Sequence, residues 1–222
     1  MAEKIDFYQI YYQDDQKPYM FDWAKPYFND TLTPFFENSV ISNVVLQSQA
    51  DKIAVTSWCL RQKMTARIPP RRELTAEVLH EDFDVMSFTK NAPSHDMLCA
   101  LDGWHPGSVD LLAKIWDQLG YQMPKKTRFP IYQNAFCARS DVYLDYVINF
   151  LVPAMYVMEF DQEIKELCYK NSGYTVTTLN KPVNFDRIEK YLGIRYYPMH
   201  PFILERCFSL WIQMKDLKVI YL

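Results

Sequence analysis

Residues 32–46 read Leu32-Thr-Pro-Phe-Phe-Glu-Asn-Ser-Val-Ile-Ser-Asn-Val-Val-Leu46, and after a short polar link residues 52–58 read Lys52-Ile-Ala-Val-Thr-Ser-Trp58. In the first stretch Phe35, Phe36, Val40, Ile41, Val44 and Val45 recur at helical spacing. Thr33 is placed to cap and Pro34 suits a first helical position, so a helix is expected. The second stretch is a short apolar run of the kind that forms a buried strand. Upstream, residues 5–12, Ile5-Asp-Phe-Tyr-Gln-Ile-Tyr-Tyr12, carry β-branched and aromatic side chains and end at Gln13-Asp14-Asp15, a strand running into a turn. Strand, helix, strand is the unit from which parallel sheets are built.

The rest of the chain extends this alternation. Residues 83–88 predict a third strand, 108–119 a helix capped by Ser108 and stopped by Gly120, and 131–138 a further strand. Residues 89–107, with two Pro, two Gly, two His and one Trp, read as a long loop, and loops of that length are usually functional. A long helix over 141–167 bent near Pro153, a short helix over 185–191, a helix over 200–214 and a closing strand over 218–222 complete the pattern. The expectation is one α/β domain over residues 1–222: a mostly parallel sheet flanked by helices, with a helix-rich C-terminal half.

Composition removes several classes of function. Of the 222 residues, 49% are hydrophobic and 16% aromatic, which excludes intrinsic disorder. The net charge is −3 and the densest basic cluster, Arg67, Arg71 and Arg72, is too short for a phosphate-backbone stripe, so nucleic acid is not an expected partner. Five scattered cysteines without Cys-x-x-Cys spacing read as reduced core residues of a cytoplasmic protein, and no run approaches the ~20 apolar residues of a membrane span. The four His and five Cys lack zinc spacing. Glycine-rich dinucleotide and P-loop motifs and the Gly-x-Ser-x-Gly elbow are missing, against a Rossmann dehydrogenase, a P-loop nucleotidase and a serine hydrolase.

In open α/β sheets ligands bind beyond the C-terminal strand ends, so the residues there are the first candidates for chemistry. Asp14 follows the first strand, Ser57, Trp58 and Arg61 the second, and His95 and Asp96 the third. An imidazole beside a carboxylate could act as a base, and Trp104, next to His105, could stack on a sugar or nucleobase. Glu37 and Asn38 lie in the early turns of the first long helix, where acids are also favoured by the helix dipole. Asp82-Phe83-Asp84 spells the Asp-x-Asp by which nucleotide-sugar enzymes hold a divalent cation, but it precedes its strand and would sit at the far end.

The last helix, His200-Pro-Phe-Ile-Leu-Glu-Arg-Cys-Phe-Ser-Leu-Trp-Ile-Gln-Met214, places Glu205, Arg206, Ser209 and Gln213 within one arc of an otherwise apolar surface. This polar window opens onto solvent or onto a site, and Glu205 is either a general base or the partner of Arg206. His200, just before Pro201, can cap the helix or face a ligand at its positive end.

Several of these segments, taken in order, resemble a bacterial family of uncharacterised domains of capsule and lipopolysaccharide biosynthesis, described as glycosyltransferases. An aromatic-rich helix leading into a strand is similar to Pro34-Phe-Phe-Glu-Asn38 and Lys52–Arg61. Asn134-Ala-Phe-Cys-Ala138 and Phe150–Glu159 resemble a later strand and helix, and Pro201-Phe-Ile-Leu-Glu-Arg206 matches a closing Gly-Phe-x-x-Glu-Arg pattern. The family's His-Tyr-Arg-Arg becomes Ser57-Trp58-Cys59-Leu60 here, with Arg61 keeping a positive charge nearby.

The resemblance implies a GT-A-like fold and transfer of a sugar from a nucleotide-sugar donor to a glycan acceptor. For such chemistry the candidates are Glu205 as base, Arg206 and Arg61 as charge partners, Asn134 and Ser57 as pocket-lining groups, and His200 or His95 as metal or phosphate contacts. The cofactor stays open, a manganese or magnesium ion being the candidate. Two alternatives remain: a non-catalytic interaction or carbohydrate-binding module, and a hydrolase using His95 and Asp96.

Overall fold

The computed structural model describes residues 3–66, 69–90, 97–177 and 180–222. Its framework is a six-stranded sheet in the order β2-β1-β3-β5-β4-β6, built from β1 (Ile5–Tyr11), β2 (Lys25–Phe28), β3 (Lys52–Ser57), β4 (Val85–Ser87), β5 (Phe136–Arg139) and β6 (Val219–Tyr221). β1 pairs in parallel with β2 and β3, and β4 with β6, whereas β5 runs antiparallel to both its neighbours. The chain is therefore α/β with a mostly parallel sheet. Because β5 is reversed, its N-terminal end lies at the same sheet edge as the C-terminal ends of the others.

The period of two in the strands sorts side chains onto two faces. Ile53, Val55, Val85, Phe136 and Ala138 enter one apolar core, and Ala54, Met86 and Cys137 enter another on the opposite side. The first is the larger. It is covered by α1 (Glu37–Gln47), α3 (Met97–Trp104), α4 (Ser108–Gln118), α5 (Ser140–Tyr146), α6 (Val152–Phe160), α7 (Gln162–Cys168) and α9 (His200–Ile212). The second is closed by α2 (Leu60–Ala66), a 3-10 turn at Glu77–His80 and aromatics such as Phe7, Phe21 and Phe83. α8 (Phe185–Leu192) packs with Leu32 and Phe36 in a small separate cluster.

Several elements differ from the sequence reading, each for a local reason. The helix expected from residue 32 begins at Glu37, because Phe36 has φ 51° and ψ −123°, and Thr33 bonds Ser39 through their side-chain hydroxyls at 3.0 Å. The strand expected over 131–138 begins only at Phe136, since Gln133 and Asn134 take φ of 57° and 54° and cannot join a ladder. Residues 89–107, expected as loop, contain α3; Gly107, with φ 82°, takes the cap position expected of Ser108, which is the first residue of α4. β2, which the reading missed, is a mostly exposed edge strand containing Pro26, the position where sheets tolerate proline.

The long helix expected over 141–167 runs as α5, a π segment at Val147–Leu151 and α6, with a break before α7. Proline has no N–H to give the carbonyl four residues back. Pro153 would leave Asn149 O without its helical donor, and the Tyr121 hydroxyl donates to that oxygen at 3.3 Å. The π turn absorbs the same irregularity, with Val152 N–H reaching back five residues to Val147 O. No helix among the described residues is long and apolar enough to cross a membrane.

Candidate functional site

A cavity of about 1400 Å³ opens at the sheet edge where the parallel strands end. The segment after β1 supplies Tyr12, Gln13, Asp15 and Tyr19, and the start of α1 supplies Phe36, Glu37 and Asn38. Trp58 and Cys59 after β3, Lys63 in α2, and Thr89 and Lys90 after β4 continue the wall. Gly103 to His105 at the end of α3, Tyr132 to Asn134 before the reversed β5, and Pro201, Phe202, Glu205 and Arg206 of α9 complete the floor. Over it lies a segment from Ser172 to Tyr197 that includes Lys181, Arg187 and Tyr174. Arg187 fixes this cover: its guanidinium donates to Asn29 O at 3.0 Å and lies 4.6 Å over the Tyr12 ring, while Tyr191 donates to Asp30 O at 2.7 Å.

Two features mark the cavity as more than a packing defect. First, three of the four described non-glycine residues with positive φ, Phe36, Gln133 and Asn134, line it. Such conformations cost about 1–3 kcal/mol each and gather at functional sites. Phe36 is held there by the Tyr197 ring, stacked at 4.5 Å and 19°.

Second, the cavity concentrates charge. Lys63, Lys90, Lys181, Arg187 and Arg206 face Asp15, Glu37 and Glu205 among the described residues, a positive balance in a chain whose net charge is −3. Burial pushes the Glu37 carboxyl above the ordinary glutamate value, and the nearby charge of Glu205 adds to this while Lys63 opposes it. Burial works against the Lys63 ammonium, yet the acidic groups of Cys59, Glu37 and Glu205 outweigh it and hold Lys63 above the usual lysine value. The Tyr12 hydroxyl is raised by burial and by the nearby Glu37 carboxylate, with Arg187 opposing.

The polar window of α9 divides along its length. Arg206 Nη1 donates to Glu205 Oε2 at 2.8 Å at the cavity, with Arg206 almost wholly buried. Further on, Ser209 Oγ accepts from Ile131 N at 3.0 Å and donates to Ile131 O at 3.1 Å. Gln213 receives Arg128 N at 2.7 Å and donates to Lys126 O at 2.9 Å. The outer half of the window thus pins the loop that carries Gln133 and Asn134 into the site.

Of the residues singled out from sequence, Glu37, Asn38, Trp58, Trp104, His105, Asn134, Glu205 and Arg206 line this one cavity. Trp58 packs 5.7 Å from Tyr19, and Trp104 is 55% exposed at the rim. His105 is buried, bonded through Nδ1 to Ser172 O at 2.8 Å, and lies 4.0 Å from the Phe202 ring. Burial lowers its imidazole below the usual value; the Ser172 carbonyl opposes this and Arg206 adds to it.

Others lie elsewhere. Ser57 is buried one residue away, its Oγ 3.4 Å from Cys59 Sγ. Arg61 sits over the Phe21 ring at 4.6 Å, and Asp14 pairs with Lys17 at 2.9 Å on the surface. His200 is fully buried, 3.6 Å from Glu159 and edge-on to Tyr169, so it packs against α6 and α7 and does not line the cavity. Asp82 and Asp84 occupy the opposite sheet edge, engaged by Lys218 at 2.6 Å and Arg139 at 2.9 Å. Both aspartates precede β4, and each is ion-paired there, away from the cavity. His95 and Asp96 fall outside the described residues.

The sequence reading missed Tyr12, Lys63, Lys181, Arg187 and Tyr197. Lys63 stands one turn after the strand-end Trp58-Cys59 pair, a signal that was present. The cover contributes from residues 172–197, a segment with no strand end to flag it. Among the described residues no group of three or more His, Cys, Asp or Glu side chains is arranged to hold a metal ion.

The chain matches no family model and no curated protein. Among solved structures it is similar to the apo structure of WbbM, a bifunctional glycosyltransferase, with a TM-score of 0.48 and 16% identity over 99% of this chain and 44% of that one. This chain therefore spans less than half the length of that structure.

Proposed function

We propose that this chain transfers a sugar from a nucleotide-sugar donor to a hydroxyl of a glycan acceptor, as a single GT-A-like domain acting in the cytoplasm in bacterial surface-polysaccharide assembly. One observation carries the reading: carboxylates and an excess of cations converge in a single cavity at the ligand-binding edge of the sheet. Transfer needs a carboxylate to take the acceptor proton and positive charge to stabilise the departing diphosphate. Glu37 and Glu205 can serve the first need, and Lys63, Lys181, Arg187 and Arg206 the second. Trp58, Tyr19 and Trp104 offer aromatic faces to a sugar or a base. A divalent cation bound with a diphosphate needs only one or two protein carboxylates beside the phosphate oxygens, and Asp15 at the cavity wall would supply one.

The segment order that resembles capsule and lipopolysaccharide glycosyltransferases supports the same chemistry. A second reading, a glycan-binding module without transfer, draws on Trp58-Cys59-Leu60 standing where that family has its basic motif. A panel of nucleotide sugars, with and without manganese, separates the two. Donor binding raises the melting temperature by mass action and is followed by release of nucleoside diphosphate in the enzyme, whereas a binding module responds to glycans alone.

A further inference from the structure

We propose that Glu37, not Glu205, is the carboxylate that takes the acceptor's proton, with Tyr12 and Lys63 as its positioning residues; the assignment rests on the sugar-transfer reading above. Both carboxylates line the cavity, but they are not equally free. Glu205 Oε2 already accepts from Arg206 Nη1 at 2.8 Å, and a proton taken up by that carboxylate would weaken a charge-assisted bond. Among the described residues Glu37 has no arginine partner. The groups that act on it are the Tyr12 hydroxyl and the charge of Lys63, both of which line the same cavity.

The backbone aims Glu37 at this place. It is the first residue of α1, and the strained Phe36 immediately before it turns the chain so that the helix starts with its acid in the cavity. A helix begun at residue 32, as the spacing suggests, would have placed Glu37 a turn and a half inside. The groups that face it come from every neighbouring element: Tyr12 after β1, Lys63 in α2, Glu205 in α9, and Tyr197 from the cover. Burial and the Glu205 charge raise its carboxyl above the ordinary glutamate value, and the Lys63 charge opposes them.

In the step we infer, the acceptor oxygen forms the new bond to the anomeric carbon as its proton passes to a Glu37 carboxylate oxygen. The bond from the anomeric carbon to the diphosphate breaks, and its electron pair leaves on the phosphate oxygen, where the cavity cations receive the charge. Glu37 then returns its proton to solvent. Glu205 stays paired with Arg206, and its charge acts on Glu37 and Lys63.

The test compares wild type, Glu37→Gln, Glu37→Asp and Glu205→Gln with a panel of nucleotide sugars, using water as acceptor and reading both melting temperature and nucleoside diphosphate release against pH. Glu37→Gln should keep the donor-induced rise in melting temperature, lose release by roughly 10²–10⁴-fold, and lose the acid limb of the kcat profile. Glu37→Asp should restore part of the rate, which a purely structural role, already met by the isosteric Gln, would not do. Glu205→Gln should keep the acid limb and act mainly on KM. Release by Glu37→Gln within tenfold of wild type, or an acid limb that disappears in Glu205→Gln instead, overturns the assignment and leaves sugar transfer standing. A wild-type chain that binds donors but cleaves none at any pH also contradicts it. A wild-type chain that binds no donor defeats the sugar-transfer reading itself.

Discussion

At the scale of single residues the fold carries charges inside it, and their surroundings decide what each does. Lys52, in β3, is 3% exposed, and its ammonium donates to Glu3 at 3.0 Å, Leu79 O at 3.1 Å and Glu81 O at 2.7 Å above the Phe83 ring. All three protons are used, so the residue is a structural clamp on the 3-10 turn below the sheet. Lys52→Met leaves two carbonyls unpaired and should cost about 2–5 kcal/mol, seen as a lower urea midpoint at unchanged slope. Glu37 is the opposite case. Its carboxyl lies above the usual 4.5, so the folded state holds that proton more tightly than the unfolded chain does. The associated stability is complete below pH 4.5 and drains away as pH rises through the folded value. Glu37→Gln should therefore melt higher than wild type at pH 8 and at the same temperature at pH 4. A wild type more stable than the variant at pH 8 would mean that Glu37 is there for the fold. Stability given up at a binding surface is the usual trace of function.

At the scale of elements, α9 shows how much one helix can settle. Its hydrophobic periodicity and its Glu205, Arg206, Ser209, Gln213 arc are both plain in the sequence, and the arc does face polar groups along its whole length. What the periodicity could not reveal is that the outer half of the arc binds the backbone of residues 126–131. Ser209→Ala removes both bonds to Ile131 and should cost about 1–3 kcal/mol, with faster amide exchange at Ile131 than at Ile203 in the same helix. Equal exchange at both would show that the loop is held by other means. Elements were legible where burial is one-sided or complete, as in β1, β3 and α4. They were not legible where a few residues break the local rule. Gln133 and Asn134 shortened β5 by adopting left-handed backbone, Phe36 delayed α1, and Pro26 hid an edge strand, each set by tertiary contacts that spacing does not record.

At the scale of the whole molecule, sheet order explains why the site is where it is. Reversing β5 between β3 and β4 brings the loop before it to the same edge as the ends of β1, β3 and β4. Residues as far apart as Tyr12, Trp58, Asn134 and Glu205 then share one cavity. That edge was predictable from strand–helix alternation; the cover from Ser172 to Tyr197 was not, because its cations reach the cavity only through the docking of α8 on Tyr12, Asn29 and Asp30.

The most direct test of the central claim, that this cavity receives a nucleotide sugar, is a thermal-shift titration of the wild-type chain and an Arg187→Ala, Lys63→Ala double variant against a panel of nucleoside diphosphate sugars. A donor at about 100 times its Kd stabilises the native state by about 2.7 kcal/mol, or about 5–10 °C for a chain of this size. Such a rise is expected for at least one donor in the wild type, with its loss in the folded double variant. No rise with any donor, or an equal rise in both proteins, would contradict it.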